Sequence, residues 1–487
     1  MKLDKLIEIC NPLHVTNKNF DGELTTFAID SREVNENSAF IAIRGTQVDG
    51  HMFLEDAINR GAKVIICEES YYTEEDDVCV IEVENTQKLA GPIAQAFAGY
   101  PAEKLKIIGI TGTNGKTTTA TLVFQVLNAC GKKVSLLGTV NKRILENVFD
   151  SKLTTSDPIE LANDMKDMVE AGSEYLVMEV SSHALHQNRV AGFNFEVAAF
   201  TNLSHDHLDY HETIEEYARA KKLLFDQLPE HSTAVLNMDD PKASEMLEDC
   251  KAKKSLLSFK NESAYILNNS AQGISIIVDG EKIESPLVGK FNAYNIGLVY
   301  LICKALGLSP KEITNALSEA KGAPGRMEPV AIEGENLPLV IVDYAHTPDA
   351  LQNVLSTLNA VKDLSQKLTV IFGAGGDRDT SKRPEMAKVA EEFADKIIVT
   401  SDNPRTENPD LIITDILNGF DKLDNVKSIT NRKEAIEKAI NDAANNEIIL
   451  IAGKGHEDYQ EINGERHHFD DREFALEFLT QKAKGGN

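Results

Sequence analysis

Apolar runs in the last third of the chain, PLVIVDYAH, KLTVIFGAGGDRD, KIIVTSDNPR and EIILIAGKGHE, each pass into a polar stretch marked by glycine or proline. Stretches with helical periodicity separate them. A short run that is apolar at every position predicts a strand buried on both faces. Regular strand–helix alternation predicts a doubly wound parallel sheet, with ligands beyond the carboxyl ends of its strands. Asp343, Arg378, Arg405 and Glu457 then fall on one rim.

Upstream, KIIGITGTNGKTTTATLVFQVLNACGKKVSLLG reads as strand, glycine loop, a helix closed by Gly131, and strand. EYLVMEVSS and VAAFTNLS add strands, and TIEEYARAKKLLFDQL a helix. The first hundred or so residues mix short strands, FAID, AFIAIRG, AKVIICEE and CVIEVEN, with the helical piece LEDAINRG. Breaks at Gly99-Tyr100-Pro101-Ala102 and at GAPGRMEP divide the chain into 1–100, 101–328 and 329–487. The 487-residue length agrees with that division, at roughly 150 residues per domain. The expected class is α/β in three domains: an N-terminal α/β domain, a central phosphate-loop-type domain with a mostly parallel sheet, and a C-terminal Rossmann-like domain.

Composition narrows the function. A formal charge of −27 disfavours a nucleic-acid partner, which needs a basic footprint. The most apolar helical stretch, NIGLVYLICKALGL, is interrupted by Lys304 and is too short to span a bilayer, and MKLDKLIEIC lacks the apolar core of a signal peptide. A cytoplasmic protein with no membrane insertion is expected. The 6 cysteines form no CxxC pair, against both a zinc ribbon and a disulfide framework. An acidic chain with anionic ligands must hold them with local devices: helix N-termini, magnesium, and placed Arg and Lys side chains.

ITGTNGKTT is such a device. It follows a buried strand and opens a helix, so the backbone N–H groups of Gly112, Thr113, Asn114 and Gly115 and the helix dipole face an anion. Lys116 would bridge phosphates and Thr117 would ligate Mg²⁺, with Thr118 behind it. Ile110 stands where the general phosphate-loop pattern has its first glycine, so the loop is a variant. Glu179, ending EYLVMEV, and His207, in NLSHDHLDYH, are metal-ligand candidates. The latter segment, with His205, Asp206, His207, Asp209 and His211, also admits a zinc-hydrolase reading, but the spacing is not HExxH and the adjacent phosphate loop implies magnesium. His205 and His211 are expected to be ordinary loop residues.

TGTNGKTT, MEVSSHAL, TNLSHDHLDYH, YARAKKLLF, GKFNAYN, GRME, DYAHTPDAL, GGDRD, DNPRTENP and GKGHEDYQ occur in that order, and together they resemble the Mur ligases of bacterial cell-wall synthesis. The resemblance covers essentially the whole chain and implies a UDP-substrate domain, a central ATPase and an amino-acid-binding domain. It places Ser31 and Arg32 near the uridine diphosphate, and Thr154, Thr155, Ser182 and Arg189 along the muramoyl-dipeptide. Asn292 and Asn295 resemble adenine contacts, and Arg326, Asp343 and His346 the groups closing over ATP; for Asp343 a ribose contact and a helix cap stay open. Lys221 matches the family's carbamylated lysine, a metal ligand made from an amine and CO₂. Without the resemblance, a solvated Lys-Lys helix face is the ordinary reading.

The implied reaction is ATP-driven amide bond formation through an acyl phosphate, with Lys116, Glu179, His207 and Lys221 at its centre, Mg²⁺ as cofactor, and closure about Gly322–Pro329 excluding water. In the resemblance, DNPR marks the diaminopimelate-adding branch. There Arg405 would take the distal carboxylate that lysine lacks, Asp402, Asn403, Pro404, Gly453 and Glu457 would orient the distal groups, and Arg378 would meet the near carboxylate. The expected partners are small molecules: UDP-MurNAc-L-Ala-D-Glu, meso-diaminopimelate and ATP. A monomer is expected. The alternatives are a lysine-adding ligase, a folylpolyglutamate synthetase-like ligase and, in another class, a nucleotide-gated binding protein.

Overall fold

The structure, a computed structural model, describes every residue except Gln47, His205, Glu262, Ser263, Ala271, 333–335, Gly486 and Asn487, with the backbone alone for Asp209 and Gly485. It contains two compact units, residues 1–260 with 297–316, and residues 261–296 with 317–487.

The first unit holds two sheets. The N-terminal one orders His14–Thr16, Cys79–Glu82, Ala62–Cys67, Ser38–Ile41 and Thr26–Ala28, parallel except at the His14–Thr16 edge. Alternate side chains of the central strand serve opposite cores. Val64 and Ile66 pack with Ala90 and Ile93 of the helix Thr86–Ala98, whereas Ile65 packs with Leu54 and Ala57 of the helix Leu54–Asn59.

The larger sheet orders Lys253–Leu257, Thr233–Asn237, Phe195–Phe200, Lys106–Thr111, Tyr175–Glu179, Val134–Leu137, Asn141–Ile144 and Asn147–Asp150. All pairs are parallel until the last two strands, which turn back as antiparallel hairpins. Lys106–Thr111 is flanked by Phe195–Phe200 and Tyr175–Glu179, so the glycine loop that leaves it runs between their carboxyl ends. The conspicuous phosphate-loop motif and the acid Glu179 therefore meet at one edge.

In the second unit a six-stranded sheet orders Glu328–Val330, Leu339–Asp343, Ile448–Ala452, Leu368–Phe372, Lys396–Val399 and Val426–Ser428, parallel except at its Glu328–Val330 edge. Val370 and Phe372 face Leu351, Leu355 and Met386 of the helices Pro348–Val361 and Lys382–Phe393; Ile371, between them, faces Ile436 and Ile440 of Arg432–Asp442. Burial on both faces is why these strands show no polar alternation. Sequence reading missed two elements of this unit, the antiparallel sheet Ala264–Ser270, Gly273–Val278 and Glu281–Ser285, and the hairpin Tyr459–Ile462 with Glu465–His468. Gly273–Val278 is an apolar, mostly buried run, GISIIV, but the strands paired with it and both strands of the hairpin are largely polar or exposed and carry little apolar signal. Among the described residues no helix is long and apolar enough to cross a membrane.

Candidate active site

The strand Lys106–Thr111 ends in the glycine loop, and the helix Lys116–Ala129 begins directly after Gly115. Gly112 has φ +145°, and a Cβ there would lie 1.9 Å from Thr201 Oγ1, so only glycine lets the loop lie against the neighbouring strand end. Thr113 N and Asn114 N, expected to face an anion, instead donate to the Asn202 carbonyl and side chain at 2.8 and 3.0 Å, which fixes the loop against the neighbouring strand end. Lys116 Nζ donates to the Gly112 and Thr113 carbonyls at 2.9 and 2.8 Å, curled over the loop it would serve. Ile110, the departure from the general pattern, is a fully buried strand residue.

Glu179 is buried and its carboxylate is shared. Oε2 accepts from Thr117 Oγ1 at 2.9 Å and from Thr139 Oγ1 at 3.2 Å, and Oε1 accepts from Thr139 N at 2.8 Å. Thr139 was not singled out in the sequence; its signal is the GT pair following the apolar run VSLL. A carboxylate and a hydroxyl side by side at a phosphate loop are hard oxygen donors, a set that fits Mg²⁺.

Lys221 is 1% exposed and donates to the Gly112 carbonyl at 2.8 Å, with its Nζ 4.3 Å from the centre of the Tyr217 ring. Burial, with the Lys116 charge nearby, holds its amine well below the ordinary lysine range. The solvated-helix reading of this residue fails: Lys222 is the solvent-side lysine, paired to Asp226 at 2.5 Å. Tyr217, also absent from the sequence candidates, bonds Thr113 Oγ1 at 3.2 Å and ties this helix to the loop.

The His-rich segment divides. His205 lies outside the described residues. His207 sits at φ +53° with a half-exposed side chain, its ring 4.9 Å from that of His183. His211 is not an ordinary loop residue: it is buried, its Nε2 lies 2.9 Å from Ser182 Oγ, and burial with the facing His183 and His186 pushes it down to about 4. A neutral imidazole locked on a serine hydroxyl is a packing element. Among the described residues no group of three His, Cys, Asp or Glu side chains could hold a metal ion; His205 and the Asp209 side chain, part of the zinc-hydrolase reading, lie outside them.

Thr154 and Thr155 lie against the same acid. Thr154 Oγ1 is 3.0 Å from Thr139 Oγ1, and Thr155 Oγ1 donates to the Glu179 carbonyl at 2.8 Å. Arg189 donates to the Thr155 carbonyl at 2.8 Å and to Gln187 Oε1 at 2.6 Å. A cavity of ≈ 870 Å³ joins Ser31 and Arg32 to Asp157, Gln187 and Arg189. Arg32 is exposed and held by Asp30, with Nη2 to Oδ2 at 2.6 Å.

In the second unit, Asn292 and Asn295 are buried in a chain of bonds, Asn295 Nδ2 to Asn292 Oδ1 at 3.0 Å and Asn292 Nδ2 to the Val288 carbonyl at 2.8 Å. Asp343 spends both oxygens on backbone, Oδ2 on Met327 N at 2.7 Å and Oδ1 on Ala345 N at 2.8 Å, and burial raises its carboxyl. The helix Pro348–Val361 is capped by Thr347, so Asp343 is not its cap. Arg326 lies over the Tyr344 ring at 4.8 Å, its buried Nε making no hydrogen bond among the described residues, and His346 Nδ1 meets the Tyr344 carbonyl at 2.8 Å.

On the rim of the same unit, Asn403 Nδ2 donates to Glu457 Oε2 at 2.9 Å. Asp402 Oδ1 accepts from Asn403 N at 2.7 Å, and Gly453 follows the strand Ile448–Ala452, two places away in the sheet from Lys396–Val399. Arg405 holds φ +50°; its Nη1 donates to the Gly376 carbonyl at 2.7 Å, while the Glu461 carboxylate stays 3.6 Å from its Nε. Pro404 packs on Gly376, and Arg378 is exposed on the facing loop. Lys454 and Arg432 were missed by the sequence reading, and both are fully buried beneath this cluster. Arg432 bonds Asp471 and the carbonyls of Ser401 and Ala452, joining two strand ends.

Known proteins resemble this chain over nearly its whole length. Three family models match in order: "Mur ligase family, catalytic domain" over 23–98, "Mur ligase middle domain" over 110–303, and "Mur ligase, glutamate ligase domain" over 325–455. A protein of Parabacteroides distasonis named UDP-N-acetylmuramoyl-L-alanyl-D-glutamate–2,6-diaminopimelate ligase is 44% identical, over 95% of this chain and 96% of its own. One of the same name from Bacillus licheniformis is 41% identical over 99% and 100%. A solved structure of that name superposes with TM-score 0.72 at 32% identity, covering 98% of this chain and 99% of the other. A MurF ligase of Thermotoga maritima in complex with ADP shares the fold at 18% identity and TM-score 0.57. The ordered motifs, their placement at the strand ends and this near-full-length likeness have one source: the chain belongs to the Mur ligase family.

Proposed function

We propose that the chain is an ATP-dependent ligase joining meso-2,6-diaminopimelate to the D-Glu γ-carboxylate of UDP-MurNAc-L-Ala-D-Glu, with release of ADP and phosphate, in peptidoglycan synthesis. The observation that carries this reading is Arg405, a rim guanidinium hydrogen-bonded to a carbonyl and ion-paired with Glu461 at 3.6 Å through Nε, on the same rim as Asp402, Asn403 and Glu457. That is a fork for a carboxylate next to acceptors for an ammonium. The names of the relatives agree with it.

In the reaction the γ-carboxylate attacks the γ-phosphorus of ATP, giving an acyl phosphate and ADP. The amine of the diamino acid then attacks the acyl carbon and expels phosphate. Two anions meet in the first step, so neutralising charge dominates its barrier. Lys116 would exchange the carbonyls of Gly112 and Thr113 for phosphate oxygens. Mg²⁺ would be held by Thr117, Glu179, His207 and Lys221 as its carbamate, and supplies the remaining positive charge on the phosphates when bound. The low proton affinity of Lys221 supports the carbamate, because only a neutral amine adds CO₂. Arg189 and the ≈ 870 Å³ cavity with Ser31 would hold the nucleotide sugar and its peptide, and Thr154, Thr155 and Ser182 the acceptor acid. Asn292, Asn295, Arg326, Asp343 and His346 would serve ATP, and Arg378 the near carboxylate. Matches at 23–98, 110–303 and 325–455 support domain divisions at 1–100, 101–328 and 329–487. This enzyme would act as a cytoplasmic monomer on small molecules.

The test supplies UDP-MurNAc-L-Ala-D-Glu, ATP and a panel of amino acids, with products read by mass spectrometry. The expected result is one ligated product, with meso-diaminopimelate. Absence of that product, or equal use of lysine, overturns the reading.

A further inference from the structure

Lys454 lies in the turn between Gly453 and Gly455 and is 0% exposed. Gly453 has φ +119°, and a Cβ on it would come 2.5 Å from Asp402 Oδ2, so the chain leaves its strand in a path that turns the next side chain inward. A buried ammonium is costly unless fully partnered. Here its partners are Asn403 Oδ1 at 3.0 Å and Glu457 Oε2 at 3.2 Å, with the Tyr459 ring 5.4 Å away. Its charge is spent inside the protein, so its influence on a ligand runs through those two side chains.

An ammonium only donates, which pins the amide of Asn403 in one orientation: carbonyl toward Lys454, NH₂ toward Glu457. Asn403 Oδ1 also accepts from Glu461 N at 3.0 Å, and Asn403 Nδ2 donates to Glu457 Oε2 at 2.9 Å. The amide therefore acts as a link, not as an adaptable contact. Glu457 Oε2 receives both donors, while among the described residues no hydrogen bond reaches Oε1, on a side chain that is 18% exposed. One oxygen is anchored and the other is presented.

We infer that Lys454 is a positioning residue for amino-acid selection: with Asn403 it locks Glu457 so that its free carboxylate oxygen receives the distal ammonium of the incoming diamino acid. The inference rests on the diaminopimelate reading. It extends that reading, because Arg405 would select the distal carboxylate and the Lys454 triad the distal ammonium, which lysine and diaminopimelate share.

The test is steady-state kinetics of the full chain with Lys454→Met, Glu457→Gln and the double variant, with Asn403→Leu as a second way to break the link should Lys454→Met fail to fold. Lys454→Met is expected to raise KM for meso-diaminopimelate roughly 10- to 100-fold, the usual worth of a charge-assisted bond. KM for ATP and for the nucleotide substrate should stay within about twofold, and the preference over lysine should persist, since both amino acids lose the same contact. The double variant should be no worse than Glu457→Gln alone. Equal damage to every substrate's KM, or losses that multiply in the double variant, would overturn the role. If the unmutated protein does not use diaminopimelate at all, the functional reading fails instead, and the two failures are told apart by that control.

Discussion

Lys221 Nζ lies 2.8 Å from the carbonyl oxygen of Gly112, so a buried helix lysine reaches the first glycine of the phosphate loop. Lys116 bonds that same carbonyl at 2.9 Å, and burial, with the Lys116 charge nearby, holds the Lys221 amine well below the ordinary lysine range. Replacing Lys221 by alanine is expected to lower ligation at least about 1000-fold, with partial recovery on adding a small carboxylate such as formate. A phosphate-release assay checks it; full activity of the variant would reject the carbamate.

Arg405 sets a second expectation. Lysine in place of meso-diaminopimelate leaves the guanidinium without its carboxylate, a loss of roughly 2 to 5 kcal/mol, or about thirtyfold to a few thousandfold in kcat/KM. Arg405→Met should bring that ratio close to one by lowering diaminopimelate use rather than by raising lysine use. Competition between the two amino acids measures it.

Arg432 and Asp471 are both 0% exposed, with Nη2 and Oδ2 2.7 Å apart. Arg432→Met strands a buried carboxylate and is expected to cost about 3–5 kcal/mol. Arg432→Met with Asp471→Leu should recover much of that. Urea midpoints of the two variants decide, and a single variant as stable as the parent would show that the pair is not needed.

Two buried imidazoles are expected to weaken the fold as pH falls. Burial is the main cause pushing His211 and His456 down to about 4, with the facing His183 and His186 adding to the first and Arg326 and Arg472 to the second. The unfolded chain protonates near the ordinary value of about 6.5, so it binds more protons than the folded state between about pH 6.5 and 4, and stability falls as pH drops through that window. Each histidine should contribute a loss of about 1 to 2 kcal/mol by pH 5. His211→Gln, which can keep a bond to Ser182, should flatten the decline; an unchanged pH dependence of the urea midpoint would refute its share.

Much of this was legible before any fold was known. All-apolar runs declare strands covered on both sides, because water reaches neither face, and Ile371 between Val370 and Phe372 shows both cores being served. The glycine loop was legible because its local geometry demands those residues in that order. Lys221 was not: a helix lysine beside Lys222 looks solvated until packing shows which one points inward. His211 was misjudged for the same reason, since its bond to Ser182 spans a long stretch of chain.

By itself, then, the order of residues determined the strand–loop–helix units, the glycine turn and the family, because these depend on neighbours a few positions apart. Tertiary structure alone decided that Lys454 from one strand end, Asn403 from another and Glu457 beyond the turn form a single charged cluster. The value of a buried charge is set by the groups that replace water around it, and those come from distant parts of the chain.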